Sequence, residues 1–137
     1  MTPNEPAIED VVHVAEFRAA LRQFLRRSER TARSSGLTPQ RHLLLLMIKG
    51  APDRSQQSTV TELAARLQLA QSTVTELVRR AEEVGLLTRE QSANDARVAH
   101  LRLTDEGERR LASAFTSLAR ERADLRDAFR HLDATNI

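Results

Sequence analysis

The chain contains no cysteine, no tryptophan and no tyrosine. Without cysteine it has neither a disulfide nor a thiol redox switch. Its aromatics are four phenylalanines, which give little surface for stacking an aromatic ligand. The glycines Gly36, Gly50, Gly85 and Gly107 are too scattered to form a phosphate-cradling loop. Long hydrophobic runs are missing, so no membrane association is expected. The opening Met1-Thr2-Pro3-Asn4-Glu5-Pro6 is polar and acidic, unlike a signal peptide, and a cytoplasmic location is expected. His13, His42, His100 and His131 are spread along the chain without paired metal-ligand spacing, so no metal and no cofactor is expected. No nucleophile stands beside a base. Asp105, Glu106 and Glu108 read as favourable charge at a helix N-terminus rather than as catalysts, and no enzymatic activity is expected.

What remains is a chain of 137 residues, the size of one domain with a modest core. A net charge of +2 says little about nucleic acid. The kind of cation says slightly more, because every one except Lys49 is arginine. Arginine suits bidentate contacts to guanine and phosphate, although a GC-rich genome would leave the same bias.

Helical spacing of Ile8, Val11, Val12, Ala15, Leu21, Phe24, Leu25 and Ser28 predicts a first helix over residues 8–34, ended by Ser35-Gly36. Its second half carries Arg18, Arg22, Arg26, Arg27, Arg30 and Arg33 against Glu29 alone. Thr38 then caps a second helix with Pro39 in its first position. The run Leu43-Leu44-Leu45-Leu46-Met47-Ile48 is apolar all round and should be buried on most sides. Residues 50–58 form a polar loop. Ser58 to Val60 read as a brief strand before a third helix, capped either by Thr61 or by the capping box Thr59-x-x-Glu62. Gln68-Leu69-Ala70 is a turn, and Gln71 to Val84 a fourth helix closed by Gly85. Leu86–Gln91 and Arg97–Leu103 read as strands around a polar tip. A last helix runs from Thr104 or Asp105 to Leu132, with a stripe of Leu111, Phe115, Leu118, Leu125, Phe129 and Leu132, and the tail after it has no periodicity.

Helix, tight turn, helix and hairpin in this order make a winged helix-turn-helix, whose main physical use is to place one helix in the major groove of DNA. At about 100° per residue, Val74, Leu77, Val78, Ala81 and Val84 face the core and Ser72, Thr75, Glu76, Arg79 and Glu83 face outward. Ser72 and Thr75 suit base edges or a thymine methyl, and Arg79 suits guanine or phosphate. Ser72 and Thr73 would equally serve as helix caps. Glu76 would either accept from a cytosine amino group or pair with Arg80 one turn on, and Glu83 faces Arg79 or solvent.

Several runs together resemble the MarR family of bacterial transcription regulators. They are Leu63-Ala64-Ala65-Arg66-Leu67, Ser72-Thr73-Val74-Thr75-Glu76-Leu77-Val78-Arg79-Arg80, Gly85-Leu86-Leu87, Asp95-Ala96-Arg97 and Leu101-Arg102-Leu103-Thr104-Asp105-Glu106-Gly107, with Leu37-Thr38-Pro39-Gln40-Arg41 upstream. The resemblance implies a mainly α fold with a small β-wing in one domain, 1–137. Residues 8–34 and 108–132 would be dimerisation helices and 38–107 the DNA-binding lobe. It implies that Arg97 in the wing lies at or near the minor groove with Asp95 orienting it; otherwise the two form a surface salt bridge of little worth. The implied DNA-binding residues are Gln71, Ser72, Thr73, Thr75, Glu76, Arg79, Arg80, Asp95 and Arg97. The family commonly binds small organic anions, which makes Arg18, Arg41 and His42 candidate effector contacts; solvent exposure or salt bridging would account for them as well.

The two terminal helices carry apolar stripes that a lone recognition module cannot cover, so a homodimer is expected; the alternative is a monomer that folds both helices back on itself. Two functions in different classes follow. The first is a double-stranded DNA-binding regulator, a ligand-responsive repressor on a pseudo-palindromic operator. The second is a dimeric protein-interaction module that uses the winged-helix surface without DNA.

Overall fold

The computed structural model describes residues 3–133. Met1, Thr2 and the aperiodic tail beyond Asp133 lie outside the described residues. The elements are α1 (Ile8–Ser34), α2 (Pro39–Lys49), α3 (Val60–Leu67), α4 (Gln71–Glu83), β1 (Leu87–Gln91), β2 (Ala99–Leu103), α5 (Asp105–Ser117) and α6 (Ala119–Asp133). The mainly α fold with a two-stranded wing is the expected one. No helix among the described residues is long and apolar enough to cross a membrane.

The chain forms two compact units, Ala32–Ala114 and the segments on either side of it. The central unit holds the core. Leu44, Leu45 and Ile48 of α2, Leu63 of α3, Val74, Val78 and Ala81 of α4, and Leu86 and Leu101 of the wing are fully buried. Burying a leucine or valine side chain contributes about 1.5–3 kcal/mol, so this cluster fixes the relative positions of α2, α3, α4 and the wing. The leucine-rich run of α2 is buried on fewer sides than its composition predicts, because Leu43 is exposed.

Local signals set the helix ends. Thr38 accepts from the Arg41 amide at 3.2 Å, with Pro39 following it. The capping box settles the start of α3: Thr59 Oγ1 accepts from the Glu62 amide at 3.2 Å, and Glu62 accepts from the Thr59 amide at 3.0 Å. Thr61 therefore lies inside the helix. Ser58 forms a bridge with Leu101 instead of a full strand. Gln68 ends α3 in the left-handed conformation. The strands are antiparallel, with Leu87 opposite Leu103 and Gln91 opposite Ala99. Thr104 links hairpin to helix: its hydroxyl donates to the Gly85 carbonyl at 2.6 Å and accepts from the Gly107 amide at 3.1 Å.

In the other unit, Phe17 and Phe129 meet edge to face with ring centroids 6.0 Å apart, and Arg27 pairs with Glu121 at 3.4 Å. The expected single last helix is two helices, broken at Leu118. There the Leu118 amide turns back three residues to the Phe115 carbonyl at 3.3 Å, a tighter turn than the four-residue step of the α ladder. The Arg122 guanidinium donates to that same carbonyl at 2.7 Å and lies 3.8 Å from the centre of the Phe115 ring.

Candidate nucleic-acid interface

The core clamps one side of α4 and leaves the other free. Val74, Val78 and Ala81 point inward as the periodicity predicts, and Leu77 is half-buried. Val84 does not: it is 48% exposed, because the helix ends at Glu83 and the chain turns away through Val84 and Gly85. Gln71, Ser72, Thr73, Thr75, Arg79 and Arg80 are exposed, and Glu76 is half-exposed.

The first turn of α4 is uncapped by any side chain. Ala70 occupies the N-cap, and neither Ser72 nor Thr73 takes over the role the sequence offered them. Thr75 spends its proton inside the helix, donating to the Gln71 carbonyl at 2.9 Å. Its oxygen lone pairs and methyl are left for other contacts.

The charged part of the face forms a network of ion pairs. Glu76 receives Arg79 at both oxygens, Nη2 to Oε1 at 2.6 Å and Nε to Oε2 at 2.9 Å. The same Oε1 receives Arg80 Nε at 2.9 Å. Arg79 Nη1 also donates to Glu83. The expected pairing of Glu76 with Arg80 and of Glu83 with Arg79 is present, and the bidentate contact to Arg79 is added to it. Hydrogen bonds first from Arg79 and then from Arg80 pull the Glu76 carboxyl from its ordinary 4.5 to about 2. The folded pKa is the lower one, so the network's contribution is complete above pH 4.5 and is lost as pH falls toward 2. A carbon-detected NMR titration should find the Glu76 carboxyl still ionised at pH 3.5, where an isolated glutamate is mostly protonated.

The wing presents a cation of a different kind. The Arg97 side chain is 91% exposed. Asp95 holds its base: Oδ1 accepts from the Arg97 amide at 3.0 Å and from Nε at 3.3 Å. The two residues thus form a surface ion pair that leaves the Nη groups of the arginine exposed. Arg89 on β1 is tied back to α4 by Glu82, with Nη2 to Oε1 at 2.6 Å, and this carboxylate raises the arginine's pKa. Arg102 reaches Gln57 at 3.4 Å.

Two concave surfaces flank these groups. One is lined by Gln40 of α2 with Ser72, Thr73, Glu76, Leu77 and Arg80 of α4. The other runs from Thr59, Val60 and Thr61 at the start of α3 to Arg89, Arg97, Val98 and Ala99. Periodicity and spacing do not bring Gln40 or Thr59 to these surfaces, whereas Arg89 lies on a wing strand, as the sequence pattern predicts. Only the packing of α2 on α4 and of the wing beside α3 brings Gln40 and Thr59 there.

The candidate effector residues are not grouped on one element. Arg18 is exposed on α1, outside the central unit. Arg41 is half-buried at the start of α2. His42 is buried, and desolvation lowers its pKa. Among the described residues no group of histidines and carboxylates is placed to hold a metal ion.

The MarR family profile matches residues 35–98. No curated protein matches the chain. Among solved structures, it is 30% identical to the M. tuberculosis transcriptional regulator MOSR in complex with DNA, over 79% of this chain and 75% of that one, with a TM-score of 0.60. It is 18% identical to a mutant MarR from E. coli complexed with operator DNA, covering 79% and 75% of the two chains at a TM-score of 0.65. AbsC, a MarR family transcriptional regulator from Streptomyces coelicolor, is 21% identical over 83% and 74%, with a TM-score of 0.62. The last two share the fold. The profile spans α2, α3, α4 and the wing up to Val98, the elements that build the exposed face described above. The chain belongs to the MarR family of winged helix-turn-helix transcription regulators.

Proposed function

We propose that this protein binds double-stranded DNA sequence-specifically, as a homodimer on a pseudo-palindromic operator, and acts as a ligand-responsive repressor in the cytoplasm, where the chromosome lies. One observation carries the DNA reading. Within one compact unit, an exposed polar helix face stands beside a wing whose arginine projects almost wholly into solvent. In this reading α4 lies in the major groove and Ser72, Thr73 and Thr75 approach base edges. Gln71 flanks them, and the uncapped amides of the first turn meet a phosphate. Arg79 and Arg80 follow one turn on, and Arg97 reaches the backbone or the minor groove. DNA-bound relatives support it.

The dimer rests on apolar surface. Ile8 is 71% exposed and Leu25 53% on α1, as are Phe115 52% and Phe129 55% near the other terminus. These side chains lie on the terminal helices, where a twofold partner would cover them. The effector, a small organic anion, rests on the family resemblance, with Arg18, Arg41 and His42 as its contacts. The second reading, a protein-interaction module, is favoured by the pairing of Arg79 and Arg80 with carboxylates, which neutralises the middle of α4.

Two variants test the assignment. Arg79→Ala should cost about 1–3 kcal/mol on the preferred duplex if the arginine makes a bidentate base contact. Arg97→Ala should weaken preferred and scrambled duplexes alike, because a backbone or groove-shape contact carries little sequence information. Fluorescence anisotropy on both duplexes measures this. Wild-type affinity in both variants on both duplexes would remove DNA from this face.

A further inference from the structure

We infer that α1 docks antiparallel on α1 of a second copy, with the arginines of its second half lying over the apolar, acid-flanked first half of the partner. The inference rests on the homodimer reading above and supplies what orients that dimer. At about 100° per residue, Ile8, Val11, Ala15, Arg18, Arg22 and Arg26 share one side of α1. All six are exposed, and the chemistry of this side changes halfway along. Ile8 and Val11, 71% and 44% exposed, mark the first half, and arginine marks the second. Charge divides at the same place. From Ile8 to Phe17 the helix has carboxylates and no lysine or arginine, and the exposed Glu9 and Glu16 flank the apolar side. The helix dipole favours this bias only in the first and last turns. Glu16, Arg18, Arg22 and Arg26 stand two turns or more inside both ends.

These arginines lack the partners that others in the chain have. Arg79, Arg80, Arg109, Arg110 and Arg130 each hold a carboxylate about one turn away. Among the described residues, Arg18, Arg22 and Arg26 form no ion pair, and they follow one another at i,i+4, a like-charge spacing that weakens a helix. A partner's α6 has no surplus of carboxylate to offer them: Glu121 holds Arg27, Asp127 holds Arg130, and Arg120, Arg122 and Arg126 stand on the same helix. The first half of a partner's α1 does have that surplus. Laid antiparallel, the arginine stems pack on Ile8 and Val11 while the guanidinium groups reach Glu9 and Glu16. A parallel pair would set one arginine row against the other, where like charges repel. Exposed ion pairs contribute little apiece, so the apolar cover supplies most of the affinity, and the charges fix orientation and partner.

Complementary charge reversal, followed by sedimentation equilibrium, tests this. Arg22→Glu with Arg26→Glu sets carboxylates against Glu9 and Glu16 of a second copy, and Glu9→Arg with Glu16→Arg sets arginine against arginine. Each double variant alone should raise the dimer dissociation constant at least about tenfold. An equimolar mixture of the two should associate to within about threefold of wild type, because opposite halves then meet again. The acidic variant relieves the arginine spacing on its own helix, so its loss of dimer is not a loss of fold, and circular dichroism checks this. Arg54→Glu with Arg66→Glu makes the same change of charge at exposed positions of the central unit. An equal loss of dimer there would assign the effect to net charge and overturn the inference. The wild-type dimer should also weaken about threefold or more between about 0.05 and about 0.5 M salt, as screening removes the attraction. A dimer that tightens with salt would set like halves together and overturn the antiparallel docking. Double variants that dimerise as tightly as wild type defeat the charge pairing alone, and so does a mixture that stays as weak as either variant. A wild-type chain that stays monomeric at micromolar concentration removes the homodimer reading and the inference with it.

Discussion

Inserting five base pairs between the half-sites of the preferred duplex is expected to remove most of the specific affinity. A twofold dimer presents two copies of α4. Both enter the major groove on one side of the DNA only if the half-sites lie about one helical turn apart, roughly 34–36 Å. Five base pairs add about half a turn and carry one half-site to the far face. A rigid frame then keeps one recognition helix engaged and loses the other, together with its phosphate contacts. With about six to ten phosphates neutralised in the full complex, log affinity should fall with log salt at a slope of roughly −5 to −9. The inserted duplex should show a slope about half as steep. Electrophoretic mobility shifts across a salt series measure both quantities. Tight binding retained after the insertion would mean that the two helices are not held by one frame, or that the surface does not read DNA as a symmetric pair.

The second large effect lies in the fold that carries the wing. Gly107→Ala should destabilise the protein by about 3 kcal/mol, the upper end of what overpacking a tight core costs. A Cβ at this position would stand 2.3 Å from the Leu86 carbonyl oxygen and 3.4 Å from Leu103 Cβ. The first neighbour is backbone, already fixed by the Thr104 amide at 3.0 Å, so it has little room to yield. Either α5 or the base of the hairpin must move. Gly85→Ala offers the contrast. Gly85 has a φ of 76° but nothing within 4 Å of its would-be Cβ, so only the left-handed backbone is penalised, by about 1 kcal/mol. Urea denaturation ranks the two variants. A Gly107→Ala protein within about 0.5 kcal/mol of wild type, the range of a neutral surface change, would show that the wing base is not packed as described.

Much of this was legible in the residues. The repeat of Ile8, Val11, Val12 and Ala15 and the stop at Ser35-Gly36 placed α1 correctly, because both are local signals. Thr38-Pro39 did the same for α2. The outward face of α4 followed from its period, and Asp95 beside Arg97 from the resemblance. The break at Leu118 was not legible. No proline or glycine marks it; it arises where the Arg122 side chain reaches a backbone carbonyl seven residues earlier, and nothing in the apolar stripe records that contact. Val84 continues the apolar period of α4, yet the helix stops one residue short and leaves it exposed. Gln40 and Thr59 gained their places beside α4 and the wing from tertiary packing, which one-dimensional spacing cannot encode. The hydroxyls of Ser72 and Thr73 looked like caps, but they follow Ala70 inside the helix, where no capping bond forms.

The most direct test of the DNA-binding account is selection of bound sequences from a random duplex pool by the 137-residue chain. The account predicts enrichment of a pseudo-palindrome with half-sites about one helical turn apart, and loss of sequence preference at individual positions when Arg79→Ala is used in place of the wild type. A pool that emerges unenriched would contradict it.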